Sequence, residues 1–243
     1  MSVLAEVRPL TARSAILSVL LGAHPPEAAG SEIVMWGLRV GISEPAVRVA
    51  LSRMVASGDL ERRNSVYRLT PRLIERQARQ DDAIERAPKT WDGTWHVAAV
   101  TTVGADSATR ASLRHSMTTA RFGELREGVW MRPANLDWTP PESLVGSLEV
   151  LSATPTRPAD ELARTLFDLD RWAHTGRELA AGLARTDVLA GRLALAAAVV
   201  RHLVDDPLLP AEVLPRDWPG QELREAYAAF RAELLGLSGL STG

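Results

Sequence analysis

The chain has no cysteine, which excludes disulfide staples and thiolate metal sites. It needs neither, since 243 residues suffice to bury roughly 70 to 75% of the unfolded surface. A cysteine-free chain fits a reducing compartment, and the cytoplasm is the expected location. Lysine is almost missing as well: Lys89 is the only one, so basic charge is carried by arginine. Long uncharged apolar runs are also lacking. The longest apolar stretch, 188–204, holds Arg192 and Arg201, and arginine inside a bilayer is costly, so it reads as a buried helix and no membrane partner is expected. Near the start, Arg8 and Arg13 precede the apolar run 15–23 in the outline of a short signal peptide. The helical spacing of Ala12, Ala15, Ile16, Val19 and Leu20 favours a supporting helix there.

The residues of common catalytic sites are scattered. The five histidines, His24, His96, His115, His174 and His202, show no paired ligand spacing, and no glycine-rich phosphate cradle occurs, so neither metal nor cofactor is expected. Gly239-Leu240-Ser241-Thr242-Gly243 matches a nucleophile-elbow pattern but has no following helix to hold the strained turn. Asp170 and His174 share a helical face, where Asp170 is better explained as a helix cap. Asp92 has no evident partner carboxylate. An enzyme is not expected.

What is present is concentrated between Ile33 and Leu69, where two short helices meet at a glycine and a basic hairpin follows. Ser31 is expected to open the first helix and Gly41 to end it. Ser43 is expected to cap the second, with Glu44 at its positive end and Pro45 tolerated in the first turn. Val47, Ala50, Leu51, Met54 and Val55 make one apolar face; Pro45, Arg48, Val49, Ser52 and Arg53 make the other. Arginine, a hydroxyl and a small apolar group are the types that read base edges in a major groove. Leu60-Glu61-Arg62 and Val66-Tyr67-Arg68-Leu69 read as strands around Arg63-Asn64-Ser65, with Leu60, Tyr67 and Leu69 inward and the arginines outside. From Ser43 to Arg79 there are eight arginines against four acidic residues, on a chain of net charge -2. The pattern is that of a winged helix-turn-helix, with basic charge concentrated where phosphates would be met.

Thr70-Pro71 then starts a polar helix whose Arg72, Arg76 and Arg79 share one side. Past a linker at 88–90, strands are expected at 96–102, 128–132 and 148–151 and a helix at 107–120, suggesting a small α/β sandwich of ferredoxin type. Helices are expected at 159–167, 170–184, 187–204 and 220–235. The proline-dense stretch 206–220 is expected to pack across those helices.

These segments together resemble the PaaX family of bacterial transcriptional repressors. The marks are Ala12-Arg13-Ser14, Ala46-Val47-Arg48 through Leu51-Ser52-Arg53, Tyr67-Arg68-Leu69-Thr70-Pro71, and Trp91-Asp92-Gly93 to Trp95. Phe122-Gly123 with Gly128-Val129-Trp130, and Asp206-Pro207-Leu208-Leu209-Pro210 to Trp218-Pro219-Gly220, continue the series. The resemblance implies an α+β multidomain chain: a winged helix-turn-helix at 1–87, a ferredoxin-like, Cas2-like middle domain at 91–155 and a helical domain at 158–238. It further implies a homodimer that represses a catabolic operon and leaves double-stranded operator DNA on binding an acyl-coenzyme A such as phenylacetyl-coenzyme A. One departure is the short wing turn. The residues expected at the DNA are Ser43, Arg48, Val49, Ser52, Arg53, Arg62, Arg63 and Arg68. No motif identifies the effector site. The alternatives are a PaaX-like regulator with another effector and operon, or a winged-helix module that binds protein rather than DNA.

Overall fold

The computed structural model describes residues 10–85, 89–102, 104 and 106–238. The glycine-flanked serine motif at 239–243 lies outside them. In chain order the first elements are α1 (Ala12–Gly22), β1 (Glu27–Ala29), α2 (Gly30–Arg39), α3 (Glu44–Ala56), β2 (Leu60–Arg63), β3 (Val66–Leu69) and α4 (Pro71–Glu85). There follow β4 (Trp95–Val100), α5 (Ser107–Thr119), β5 (Gly123–Arg126), β6 (Val129–Pro133) and β7 (Leu148–Ala153). The last are α6 (Ala159–Leu166), α7 (Leu169–Arg185), α8 (Leu189–Val204) and α9 (Gly220–Ser238). They form two compact units, one of Met1–Arg86, His174–Val204 and Pro219–Gly243, the other of Ala87–Ala173 and Asp205–Trp218.

The first unit is built on α1, whose start is a reciprocal cap: the Thr11 hydroxyl accepts from the Ser14 amide, and the Ser14 hydroxyl accepts from the Thr11 amide. Ala15, Ile16, Leu17, Val19 and Leu20 are buried along it, as a supporting helix requires. Its far end is satisfied from α4, where the buried Gln77 amide donates to the carbonyls of Leu21 and Ala23 at 3.0 and 2.9 Å. The sequence places the start of α2 at Ser31; it lies one residue earlier, because the Glu32 carboxylate accepts from the Ala29 amide at 2.8 Å and closes the turn there. Gly41, at φ +81°, ends it as expected. Ser43 stands before α3 in extended conformation, yet its side chain makes no capping bond.

β2 and β3 pair with Leu60 opposite Leu69 and Arg63 opposite Val66, so the turn is only Asn64-Ser65, Asn64 taking φ +57°. β1 was not expected. Three residues show no alternation to read, and the strand exists only by pairing along β3, Glu27 opposite Arg68. The core beneath the hairpin joins Ile16, Leu20, Ile33, Val34, Val47, Leu51, Met54, Leu60, Leu69 and Leu73, with Tyr67 against it. Val55, assigned to the apolar face of α3, is 36% exposed and lies at its margin.

A buried carboxylate ties this unit together. Asp59, in the turn after α3, takes Arg13 of α1 at 2.9 Å and also Arg72 of α4. Burial alone would raise its pKa. The hydrogen bond and charge of Arg13, the charge of Arg72 and a hydrogen bond from Ser57 overcome this and hold it below the ordinary carboxylate range. A lowered native pKa means the folded state binds fewer protons, so this stabilisation is present above the unfolded value and is lost as pH falls through the native one. Asp59→Asn should therefore cost about 1 to 2 kcal/mol at neutral pH, discounting for arginines open to solvent, and flatten the loss of stability below about pH 4. Urea unfolding at pH 7 and pH 3 measures both.

On the C-terminal side of this unit, α8 buries Leu193, Leu195, Ala196, Val199, Val200 and Leu203. Arg192 leaves its apolar surroundings for a two-pronged bond to Glu233 of α9, at 2.6 and 2.8 Å. Among the described residues no helix is long and apolar enough to cross a membrane.

The second unit is a four-stranded antiparallel sheet in the order β5-β6-β4-β7. β5 lies outside the strands the sequence predicts; Gly123-Glu124-Leu125-Arg126 has little strand character and is held as the hairpin partner of β6. Alternation along β4 sends Ala98 and Val100 to the face covered by α5, with Met117, Phe122 and Trp130. Trp95 and Val97 go to the other, with Met131, Leu162, Ala163, Leu209 and Val213. A single turn of 3-10 helix at Glu142–Leu144 stands where a ferredoxin-type sandwich has its second helix. The proline-dense strap was expected across the helices. It does pack on helices, Leu209 and Val213 against Leu162 of α6 and Trp218 stacked on Trp172 of α7 at 4.4 Å, and it also meets the sheet at Trp95 and Met131, with Asn135 donating to the Leu208 carbonyl at 2.8 Å. α7 is entered through Asp168, which accepts from the Arg171 amide; Asp170, assigned that role from the sequence, lies within the first turn.

Candidate nucleic-acid interface

α3 is two-faced as its spacing implies. Val47, Leu51 and Met54 are buried, at no more than 2% exposure, while Arg48, Val49, Ser52 and Arg53 are all exposed on the opposite side. Val49 is 49% exposed, an apolar side chain held in water on a helix whose neighbours on that face are polar. The helix is seated at one point of very close approach. Gly37 of α2 lies against Val47, and any Cβ at 37 would fall 2.4 Å from a Val47 methyl.

The structure gives the predicted residues unequal freedom. Arg48 is engaged with Glu44 one turn earlier, at 2.7 Å, and its carbonyl accepts from the Ser52 hydroxyl at 3.1 Å. Both arginine and glutamate are open to solvent, so the pair is worth only about 0.3 to 0.5 kcal/mol. The Arg53 side chain makes no hydrogen bond or ion pair among the described residues.

In the hairpin the arginines are all outside the core, but they divide between two faces. Residues opposite each other in a ladder share a face, so Arg62 belongs with Tyr67, over whose ring its guanidinium lies at 5.7 Å while donating to the Asn64 carbonyl. Arg63 and Arg68 belong to the other face, with Glu27 and Glu61 beside Arg68 in register and Glu27 paired to it at 2.9 Å. The Arg63 side chain has no hydrogen bond or ion pair among the described residues. The spacing of Glu44 and Arg48 was visible in the sequence; the partner of Arg68 was not, since it stands on the unforeseen β1.

Asp92 accepts from the Thr94 amide at 2.9 Å in the turn before β4, and the hydrogen bonds from Thr94 hold its carboxyl below the ordinary range. His174 faces Glu178 at 4.0 Å. His96 is half-buried, and burial with the nearby Arg132 charge pushes its pKa down. Among the described residues no three histidine, aspartate or glutamate side chains gather as metal ligands would.

Residues 11–73 match the family model described as PaaX-like protein, residues 88–152 the PaaX protein central Cas2-like domain, and residues 166–239 the PaaX-like protein C-terminal domain. Among solved structures, an uncharacterized protein of Mycobacterium tuberculosis, Rv0674, is 48% identical with a TM-score of 0.84. That match covers 94% of this chain and 97% of the other. No curated protein matches the chain.

Proposed function

The chain belongs to the PaaX-like protein family, and from that premise we propose that it is a transcriptional repressor of a catabolic operon, released from DNA by a small-molecule effector. The observation that carries this reading is the exposed face of α3, which sets Arg48, Val49, Ser52 and Arg53 in solvent on a helix anchored by a buried apolar face. In this reading residues 1–87 are a winged helix-turn-helix, with β2 and β3 as the wing. Residues 91–155 and 158–238 are the middle and helical domains. Arg48 and Ser52 address base edges, Val49 a thymine methyl, and Arg53, Arg62, Arg63 and Arg68 the phosphates, with Ser43 at the positive end of α3. Two copies related by two-fold symmetry would set their α3 helices about 34 to 36 Å apart, one turn of DNA. The effector proposed is an aryl-acyl-coenzyme A such as phenylacetyl-coenzyme A, acting in the cytoplasm by binding the DNA-free conformation more tightly.

Fluorescence anisotropy of the full chain on its own upstream DNA and on scrambled DNA, with and without the thioester, tests each part. Specific binding that the thioester reverses is the expected result. Specific binding without reversal removes this effector class and keeps the repressor, while binding without sequence preference removes the repressor. Glu44→Gln adds a check on the helix face: with Arg48 freed of its carboxylate partner, operator binding should tighten about twofold per protomer, hence about fourfold for the dimer, the equivalent of the lost i,i+4 pairs.

A further inference from the structure

We propose that Arg76, Arg79 and Arg201, with Arg13 and Arg72 alongside, form a phosphate-binding site in the first unit, built without any residue of α3 or of the β2–β3 hairpin. Arg72, Arg76 and Arg79 repeat at intervals of four and three along α4, which stacks them on one side. α4 packs along α8 and against α1; Arg201 of α8 and Arg13 of α1 lie near enough for their charges to act on Arg76, and Arg13 shares Asp59 with Arg72. Five guanidiniums from three helices thus share one region. Among the described residues the one carboxylate paired with any of them is Asp59, and it takes Arg13 and Arg72.

That leaves the side chains of Arg76, Arg79 and Arg201 without a hydrogen bond or ion pair among the described residues. Arg76 is only partly exposed, and burial together with the charges of Arg13, Arg201, Arg79 and Arg72 pushes its guanidinium below the ordinary arginine range. A fold that concentrates like charges this way loses stability by it, as binding sites do when their ligand is absent. Its complement is an anion of more than one charge. Guanidinium forks match phosphate oxygens two at a time, and several forks suit a phosphate or pyrophosphate group better than a single carboxylate. Such a group belongs either to the DNA backbone or to a free phosphorylated small molecule. The inference does not rest on the operator reading, because it uses none of the residues assigned to it.

The test is thermal unfolding of the full chain with inorganic pyrophosphate at constant ionic strength, chloride being the reference, for the wild type, Arg76→Gln and Arg201→Gln. Pyrophosphate should raise the wild-type Tm in proportion to its logarithm once in excess. Arg76→Gln should melt higher than wild type without the anion, and both variants should lose roughly tenfold or more in pyrophosphate affinity. Arg201 is exposed, so its replacement leaves folding out of question. Duplex-DNA anisotropy separates the sources. Weaker DNA binding with a shallower salt slope in both variants identifies the phosphate as the backbone's; unchanged DNA affinity beside a lost pyrophosphate response identifies a small ligand's. Equal pyrophosphate stabilisation of all three proteins overturns the site, as does no stabilisation of the wild type together with unaltered DNA affinity in the variants. Arg48→Ala should leave the pyrophosphate response intact, so the operator reading can fail while this site stands.

Discussion

Raising the salt concentration from about 50 to about 200 mM should weaken operator binding by a factor on the order of 10⁴. Four arginines per protomer are assigned to phosphates, Arg53, Arg62, Arg63 and Arg68, hence about eight in a two-fold dimer. Each phosphate neutralised contributes about -0.9 to the slope of log affinity against log salt, which gives a slope near -7. Two of the four have intramolecular partners to exchange, Arg62 with the Asn64 carbonyl and Arg68 with Glu27. Arg63 is unengaged among the described residues, so Arg63→Ala should lower the slope by about 2 per dimer and weaken every sequence alike. Arg48→Ala should act differently, costing about 1 to 3 kcal/mol and relaxing preference at one base position while the slope holds. Anisotropy titrations at several salt concentrations decide it. A slope near zero would sink the DNA reading, and identical behaviour of the two variants would sink the division between base and phosphate contacts.

The helix that matters most was legible because its signals are local. Ser43-Glu44-Pro45 marks a helix start in any context, and the spacing of Val47, Leu51 and Met54 dictates which side is buried, so the exposure of Arg48, Ser52 and Arg53 follows. What was not legible depends on pairing between distant segments. Glu27-Ala28-Ala29 has no strand pattern and becomes β1 only against β3, so the ion pair that occupies Arg68 had no trace in the sequence. β5 escaped for the same reason. Asp59, following a glycine in a turn, reads as an ordinary loop acid; its burial between Arg13, 46 residues earlier, and Arg72 is a product of tertiary packing. The arginine side of α4 was visible as a repeat, but the charge that α8 and α1 bring against it was not, since solvated repeats look the same.

Gly37→Ala should destabilise the first unit and weaken DNA binding together, although the same exchange in an ordinary helix interior stabilises by about 1 kcal/mol. The new Cβ would fall 2.4 Å from a methyl of Val47, which is completely buried and, being β-branched, has few rotamers into which that methyl can turn. α2 and α3 must then part, at an overpacking cost of about 1 to 3 kcal/mol that outweighs the gain in propensity. The turn between them would be disturbed too, because the Gly37 carbonyl accepts the amides of Val40 and Ile42 at 3.2 and 2.8 Å. Val47→Ala alone leaves a cavity and should also destabilise. In the double variant the alanine at 37 occupies part of the space the valine vacates, so its loss should fall short of the sum of the two single losses by about 1 to 2 kcal/mol. Urea unfolding of the four proteins measures that coupling. If the proposed operator contacts hold, affinity should follow it, falling in Gly37→Ala and returning toward wild type in the double variant, because the inward face of α3 sets the position of Arg48 and Arg53. Strict additivity would mean that α2 and α3 accommodate the methyl elsewhere and that the close approach does not position the helix.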